Sequence, residues 1–420
     1  MSDILNMIKE FSAGCPCGME HTTTIRDVRI GSGITSQVGK ILKENGFTRK
    51  LLLVADKNTI KASEGIIESL EGFDVEYKIY DYLRVAEMKH VKEIEALIEG
   101  REISVLSVGS GSVNDPCRLA CANQRKLLCI FGTAPSMDGF ASYSSPIVDN
   151  YFKASYDAKS PEVIIADTKI LAKAPAYLKS SGFGDMIAKY IGIVDWKISN
   201  ILSGEYYCEK IAQYVKKTVD ELLDLADSVT VDNEETAGKI FEQLLKTGIF
   251  MSFTKNSRPA SGSEHIIAHL MECLELPKGI IPNYHGEDVG VATLAMLKYY
   301  KECAAHESVS AHRESVDWEK VYSVYGEMAE DVRKLNTPTT ITDAVDPRTI
   351  EEKWGEIRAV IDTLPTYERV LDAMKRAGCK TNLEEIEKSR ELFDTCVEYS
   401  PFMRRRITLL RLKEMIDYGN

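Results

Sequence analysis

The chain has 420 residues, 44% of them hydrophobic and 28% charged, with 27 Gly and 13 Pro. This composition supplies a sizeable core and excludes global disorder, and at roughly 100–200 residues per domain two domains are the economical reading. The net charge of −12 opposes nucleic-acid binding, which needs clustered cations, but leaves room for a small phosphorylated ligand at a locally basic site.

Residues 1–11 read as a short amphipathic helix carrying Asp3 and Glu10. It lacks the basic start and long apolar centre of a signal peptide. No apolar run reaches the ~18 residues of a membrane span, so no membrane partner is expected. Ten irregularly spaced cysteines, several in apolar runs such as those of Cys129 and Cys273, read as buried reduced thiols of a cytoplasmic protein. The segment Cys15-Pro-Cys17-Gly-Met-Glu-His21 joins two thiols to an imidazole. Its one-residue gap is tighter than the usual spacing of about two to four, and no second cysteine pair completes four ligands. It therefore reads as a turn with incidental thiols, metal binding being the lesser alternative.

Strand-like runs follow at 51–56, 73–80, 103–108, 126–131 and 162–167, the second with Phe73, Val75, Tyr77 and Ile79 on one side. Helical patterns at 35–45, 58–70, 87–99 and 115–123 alternate with them. Such alternation implies parallel pairing through right-handed crossovers. Near residue 170 the strand signal stops. Long periodic stretches follow at 185–202, 208–227, 233–252, 263–275, 287–304 and 316–335, with Pro-rich breaks at 171–178 and 336–347. The expected organisation is an α/β domain over residues 1–175 and an all-α domain over residues 176–420.

The strand at 103–108 runs into Gly109-Ser110-Gly111-Ser112-Val113-Asn114-Asp115, ahead of a helix. A glycine turn there lets backbone N–H groups approach a pyrophosphate, and the helix N-terminus adds partial positive charge. Asn114 stands where the G-x-G-x-x-G pattern has its last glycine, and the P-loop lysine is missing. The strand-before, helix-after context favours a nucleotide site over a bare turn. No acid ends the next strand, so the candidate ribose ligand is Asp56, whose ordinary role would be an N-cap. The segment Thr133-Ala134-Pro135-Ser136-Met137-Asp138-Gly139-Phe140-Ala141-Ser142 also follows a strand directly. Polar side chains at the carboxyl ends of parallel strands face the ligand crevice, though these are turn-forming residues too.

Three of the seven histidines crowd into 265–285. His265 and His269, four apart, share a helix face. Ile266 follows His265, so the HExxH of a zinc protease and its general base are absent. His285 lies in a loop before another helix, and Asp185 at the start of one, where a cap is its ordinary role. One carboxylate and two imidazoles leave coordination open. That suits a Lewis acid at a substrate oxygen, and zinc, nickel or ferrous iron would fit.

GSGSVND, TAPSMDGFAS, SGFGDMIAKY, SRPASGSEHIIAH and YHGEDVG occur in this order, and together they closely resemble the bacterial-type glycerol-1-phosphate dehydrogenases. The wider group contains glycerol dehydrogenase, the iron-containing alcohol dehydrogenases and dehydroquinate synthase. The resemblance spans about residues 25–300. It implies a Rossmann-like N-terminal domain, an all-α C-terminal domain of dehydroquinate synthase-like type, and an active site between them. It also implies a cytoplasmic homodimer using NAD(H) or NADP(H) and one divalent metal. Position by position, Asp185, His265 and His285 would hold the metal. His269 would contact substrate, either it or a metal-bound water would supply a proton, and Asp138 would hold a substrate hydroxyl. Asp56, Gly109, Gly111, Ser112, Val113, Asn114, Asp115, Thr133, Ala134, Pro135, Ser136 and Ser142 would bind the dinucleotide. The implied reaction reduces dihydroxyacetone phosphate to sn-glycerol 1-phosphate, with Arg258 and Lys189 as candidate phosphate cations. Two departures stand out: Ser110 replaces a glycine frequent in the wider group, and the Cys15–His21 segment lies outside the pattern. A glycerol or other polyol dehydrogenase is the near alternative. A cyclising lyase and a non-catalytic dinucleotide sensor are the distant ones.

Overall fold

Leu51 to Ala55 and Val105 to Val108 are buried on both faces, as strands in the middle of a parallel sheet must be. The computed structural model describes residues 3–419. Its first strands are β1 (Asp27–Gly31), β2 (Lys50–Asp56), β3 (Asp74–Tyr80), β4 (Ser104–Gly109), β5 (Leu128–Gly132), β6 (Ser144–Asp149), β7 (Phe152–Asp157) and β8 (Val163–Asp167). Six of them form a parallel sheet in the order β1-β8-β5-β4-β2-β3. From β2 the chain moves outward to β3, then returns to β4 on the other side of β2. The carboxyl ends of β2 and β4, at Asp56 and Gly109, therefore flank the switch point where open parallel sheets place ligands.

Five of these strands coincide with the expected runs. β1 and the β6–β7 hairpin do not, for separate reasons. β1 is a five-residue edge strand in which Asp27 and Arg29 interrupt the apolar run. The hairpin turns through Asn150 and Tyr151, both at positive φ (47° and 67°), without the glycine that marks such turns. The opposite edge strand, β3, leaves Tyr77 and Ile79 exposed, because only part of its apolar side is covered.

Beyond Asp167 the described chain is helical, apart from the short antiparallel pair Ser310–Ala311 and Ile416–Asp417. Residues 171–178, read as a break, instead lie largely in the Thr168–Lys173 and Ala176–Ile187 helices, with Pro175 as N-cap of the second. The Glu234–Thr254 helix packs on the sheet. Phe241, Leu245, Ile249 and Phe250 share one core with Val54, Val105 and Ile130. A Cβ on Gly132 would lie 2.6 Å from the Phe241 ring. The change of secondary structure near residue 170 is thus not a break between cores. No described helix is long and apolar enough to cross a membrane.

Candidate active site

Gly184 and Gly286 bring the Ala176–Ile187 and His285–Ala304 helices into backbone contact, and Gly182 brings the first of them onto the segment after β5. A Cβ on Gly184 would lie 2.3 Å from Gly286 O, one on Gly286 1.7 Å from Ser181 O, and one on Gly182 1.9 Å from Pro135 O. Only residues without a side chain allow that approach. It places Asp185 beside His285, the first residue of its helix, and both beside His265 of the Ser263–Glu275 helix. One ligand atom from each of Asp185, His265 and His285 lies within 4.8 Å of the others. Asp185 sits inside its helix rather than at its start, and no cap role falls to it.

His265 and Asp185 are each held by further groups. His265 Nδ1 is 2.6 Å from Glu264 Oε1, so Nε2 is the atom turned toward Asp185 Oδ1, at 3.4 Å. Asp185 Oδ2 accepts from the Asp138 backbone N–H at 2.9 Å. Lys189 Nζ lies 2.5 Å from Asp185 Oδ1 and 2.7 Å from Asp138 Oδ2, and Lys189 and Asp185 are fully buried. Burial opposes the Lys189 charge, but the two carboxylates outweigh it and raise its pKa. Burial and the Asp185 charge raise the pKa of Asp138. Burial likewise opposes ionisation of Asp185, yet Lys189 and His265 hold it below the ordinary carboxylate range. One oxygen and two nitrogens, oriented and close together, fit a single divalent ion with open positions.

His269, one turn beyond His265, stacks on His285 with ring centroids 5.4 Å apart. Its Nδ1 is buried and has no hydrogen-bond partner among the described residues. Burial holds its pKa well below the ordinary histidine value.

A cleft of about 1050 Å³ runs from Asp56 and Ser112, past Thr133, Ser136 and Asp138, to His265, His269 and His285. The Gly111–Asn123 helix starts inside the glycine segment. Val113 and Asn114 N–H close onto Ser110 O, while Gly111, Ser112, Val113 and Asp115 line the cleft. Ser110 Oγ is 2.5 Å from Ser136 Oγ, tying the turn to the segment after β5. Ala134 and Ser142 line the same wall. Asp115 pairs with Arg118 at 2.5 Å, and Arg118 also donates to Ser142 O. Asp56 caps the Lys57–Ala62 helix through Asn58 and Thr59 N–H while lining the far end of the cleft.

Several expected contacts lie elsewhere. Gly109, Asn114 and Pro135 stand behind the wall. A Cβ on Gly109 would meet Val113 at 2.9 Å, Asn114 accepts from Ser107 inside the sheet, and Pro135 O abuts Gly182. Lys189, buried between two carboxylates, is not a phosphate cation on the cleft. Arg258 is not one either. Its guanidinium is buried against Glu205 at 2.5–2.8 Å and donates to Ile407 O and Ser199 Oγ.

Cations that the motif reading missed stand at the histidine end. Lys153, from the hairpin, lines the cleft and pairs with Glu272 at 2.6 Å. Arg404 donates to Lys153 O. Arg406 donates to Ser257 Oγ and Ser261 O, both on residues that line the cleft. Burial, together with Arg258 and Arg404, pushes the pKa of Arg406 down to about 9. The run Arg404-Arg405-Arg406 was the available signal, but it lies more than a hundred residues beyond the last motif.

Residues 29–175 match the family described as iron-containing alcohol dehydrogenase. A glycerol-1-phosphate dehydrogenase (NAD(P)+) of Halalkalibacterium halodurans is 27% identical over 98% of both chains. One of Methanothermobacter thermautotrophicus is 32% identical over 78% of this chain and 87% of its own. Among solved structures, an NADH-dependent butanol dehydrogenase A of Thermotoga maritima superposes with a TM-score of 0.61, at 15% identity over 93% of this chain and 92% of that one. A 1,3-propanediol oxidoreductase also gives 0.61, at 16% identity over 92% and 94%. At such identities the structures establish the shared fold alone.

Proposed function

We propose that this chain, which belongs to the glycerol-1-phosphate dehydrogenase family, reduces dihydroxyacetone phosphate to sn-glycerol 1-phosphate with NADH or NADPH and a divalent metal. The observation that carries the reading is the meeting of Asp185, His265 and His285 at the end of a cleft whose other end is the switch point of the sheet. When bound, the metal supplies Lewis-acid polarisation of the ketone oxygen and the dinucleotide supplies the hydride.

The remaining work falls to side chains. The wall from Asp56 to Ser136 would seat the dinucleotide, its phosphates at the start of the Gly111–Asn123 helix. Lys189 keeps Asp185 ionised and Asp138 in place. Glu264 fixes the His265 tautomer. Asp138 would accept from a substrate hydroxyl. His269, on the same end of the cleft and kept neutral by burial, would donate a hydrogen bond from its ring N–H to the substrate oxygen.

Lys153, Arg404 and Arg406 favour a phosphorylated substrate over a free polyol. Both arginines stand behind residues of the cleft wall and donate to neutral oxygens, so no carboxylate neutralises their charge. The ten free cysteines support residence in the reducing cytoplasm. The test mixes protein, divalent metal, NADH or NADPH and dihydroxyacetone phosphate and follows nicotinamide absorbance, with glycerol oxidation and a lyase substrate as controls. Faster turnover of glycerol than of glycerol 1-phosphate would move the assignment to a polyol dehydrogenase.

A further inference from the structure

A second cluster of metal-binding side chains forms where the N-terminal segment meets the start of the Glu209–Leu223 helix. Cys15 and Cys17 follow the Asp3–Ser12 helix, and His21 comes four residues after Cys17. The fold adds Cys208, the N-cap of the Glu209–Leu223 helix, 187 residues beyond His21. Cys15 Sγ is 3.6 Å from Cys208 Sγ, Cys17 Sγ is 3.3 Å from His21 Nε2, and Cys208 Sγ is 3.8 Å from His21 Nε2. All four ligand atoms lie within 4.8 Å of one another. Zinc bound tetrahedrally by sulfur at about 2.3 Å and nitrogen at about 2.0 Å would hold such atoms about 3.5–3.8 Å apart. The observed spacings are close to those of a formed coordination shell.

The orientation of His21 agrees. Its Nδ1 is 3.4 Å from the Phe253 carbonyl oxygen, which can only accept. Nδ1 therefore carries a proton, and Nε2 is the atom facing the sulfurs, as in a metal-bound histidine oriented by an outer partner. His21 is fully buried, with the Phe11 and Phe253 rings 5.6 and 5.4 Å away.

We propose that Cys15, Cys17, His21 and Cys208 bind one tetrahedral zinc ion, separate from the catalytic ion of the cleft. Four protein ligands fill the shell, so the site is structural. It clips the segment at 13–21 to the loop at 204–208. In that loop Tyr206 Oη is 3.2 Å from Cys17 Sγ, and Glu205 holds Arg258 ahead of the Ser263–Glu275 helix. This site stands or falls independently of the reading of the cleft.

Cobalt substitution of the full-length protein tests it. Asp185, His265 and His285 offer no sulfur, so a near-ultraviolet sulfur-to-cobalt charge-transfer band reports this cluster alone, and intense tetrahedral d–d bands should accompany it. Both should appear in the wild type and persist in His265→Ala. Cys208→Ser and His21→Asn should each lose most of the intensity. On the zinc-loaded wild type, an organomercurial thiol reagent should release one zinc per chain, a readout that needs no variant to fold. Three results would overturn the proposal: no sulfur-to-cobalt band in metal-replete wild type, an undiminished band in a folded Cys208→Ser, or a Cys15–Cys208 disulfide in protein purified under reducing conditions.

Discussion

The backbone N–H of Asp138 donates to Asp185 Oδ2 at 2.9 Å, joining the segment after β5 to the interior of the Ala176–Ile187 helix. Lys189 pairs with the carboxylates of both residues. The crevice of the sheet and the histidine cluster are therefore held in register by one buried charge network. Removing its cation leaves two buried carboxylates uncompensated. Lys189→Met is expected to cost about 3–5 kcal/mol of folding stability and to lower catalytic metal content. Denaturant unfolding and metal analysis check both, and an unchanged midpoint with full metal would contradict this role.

Asp56 has two demands on one carboxylate. Its Oδ1 caps a helix through Asn58 and Thr59 N–H at 2.9 and 2.8 Å, while Oδ2 is 3.4 Å from Leu83 N. Asp56→Ala is expected to cost about 1 kcal/mol from the lost cap. It should also raise the KM for NADH more than that for dihydroxyacetone phosphate, and shift preference toward NADPH by removing charge near a 2′-phosphate. Equal changes in both KM values would leave Asp56 as a cap alone.

The two arginines near residues 257–261 should separate cleanly. Arg406→Ala removes charge-assisted hydrogen bonding from the proposed phosphate end, worth about 1.5–3 kcal/mol, or on the order of 10-fold to 100-fold in kcat/KM for the phosphorylated substrate. Unphosphorylated dihydroxyacetone should lose far less. Arg258→Ala should instead act mainly on stability, because it strips Glu205 of its buried partner. Equal loss on both substrates in Arg406→Ala would remove its phosphate role.

Asp167 provides a pH signature away from the metal. Its carboxylate accepts from Gly33 N, Thr35 N, Thr35 Oγ1 and Lys169 N at 2.7–3.0 Å. Burial opposes its charge, but these donors hold its pKa below the ordinary 3.8. A depressed folded pKa stabilises the native state above the unfolded value and loses that contribution as pH falls through the folded one. Asp167→Ala should cost about 2 kcal/mol near neutral pH, and its deficit relative to wild type should shrink below about pH 4. A deficit constant down to about pH 3 would contradict this account.

Much of the scaffold was legible because unbroken apolar runs, such as Leu51 to Ala55, have few other ways to be buried. β1 and the hairpin escaped because Asp27 and Arg29 break one pattern and the Asn150–Tyr151 turn lacks glycine. The spacing of His265 and His269 announced a shared face, but nothing local to Asp185 told a cap from a helix-interior side chain. Gly182, Gly184 and Gly286 make the convergence possible through contacts that no short window contains. The same limit applies to side-chain direction. Arg258 belongs to the 257–261 segment and Arg406 donates to it, and only the fold shows which is sealed against a carboxylate. Cys208 lies too far along the chain for Cys15-Pro-Cys17 to suggest it.

The most direct measurement is the turnover of dihydroxyacetone phosphate with NADH by His265→Ala and by wild type, each stripped of metal and then reloaded. Reloading should restore the wild type. His265→Ala should remain slower by several kcal/mol of barrier, on the order of 10³-fold, with one fewer metal ion per chain. Wild-type turnover by the metal-free variant would contradict the account.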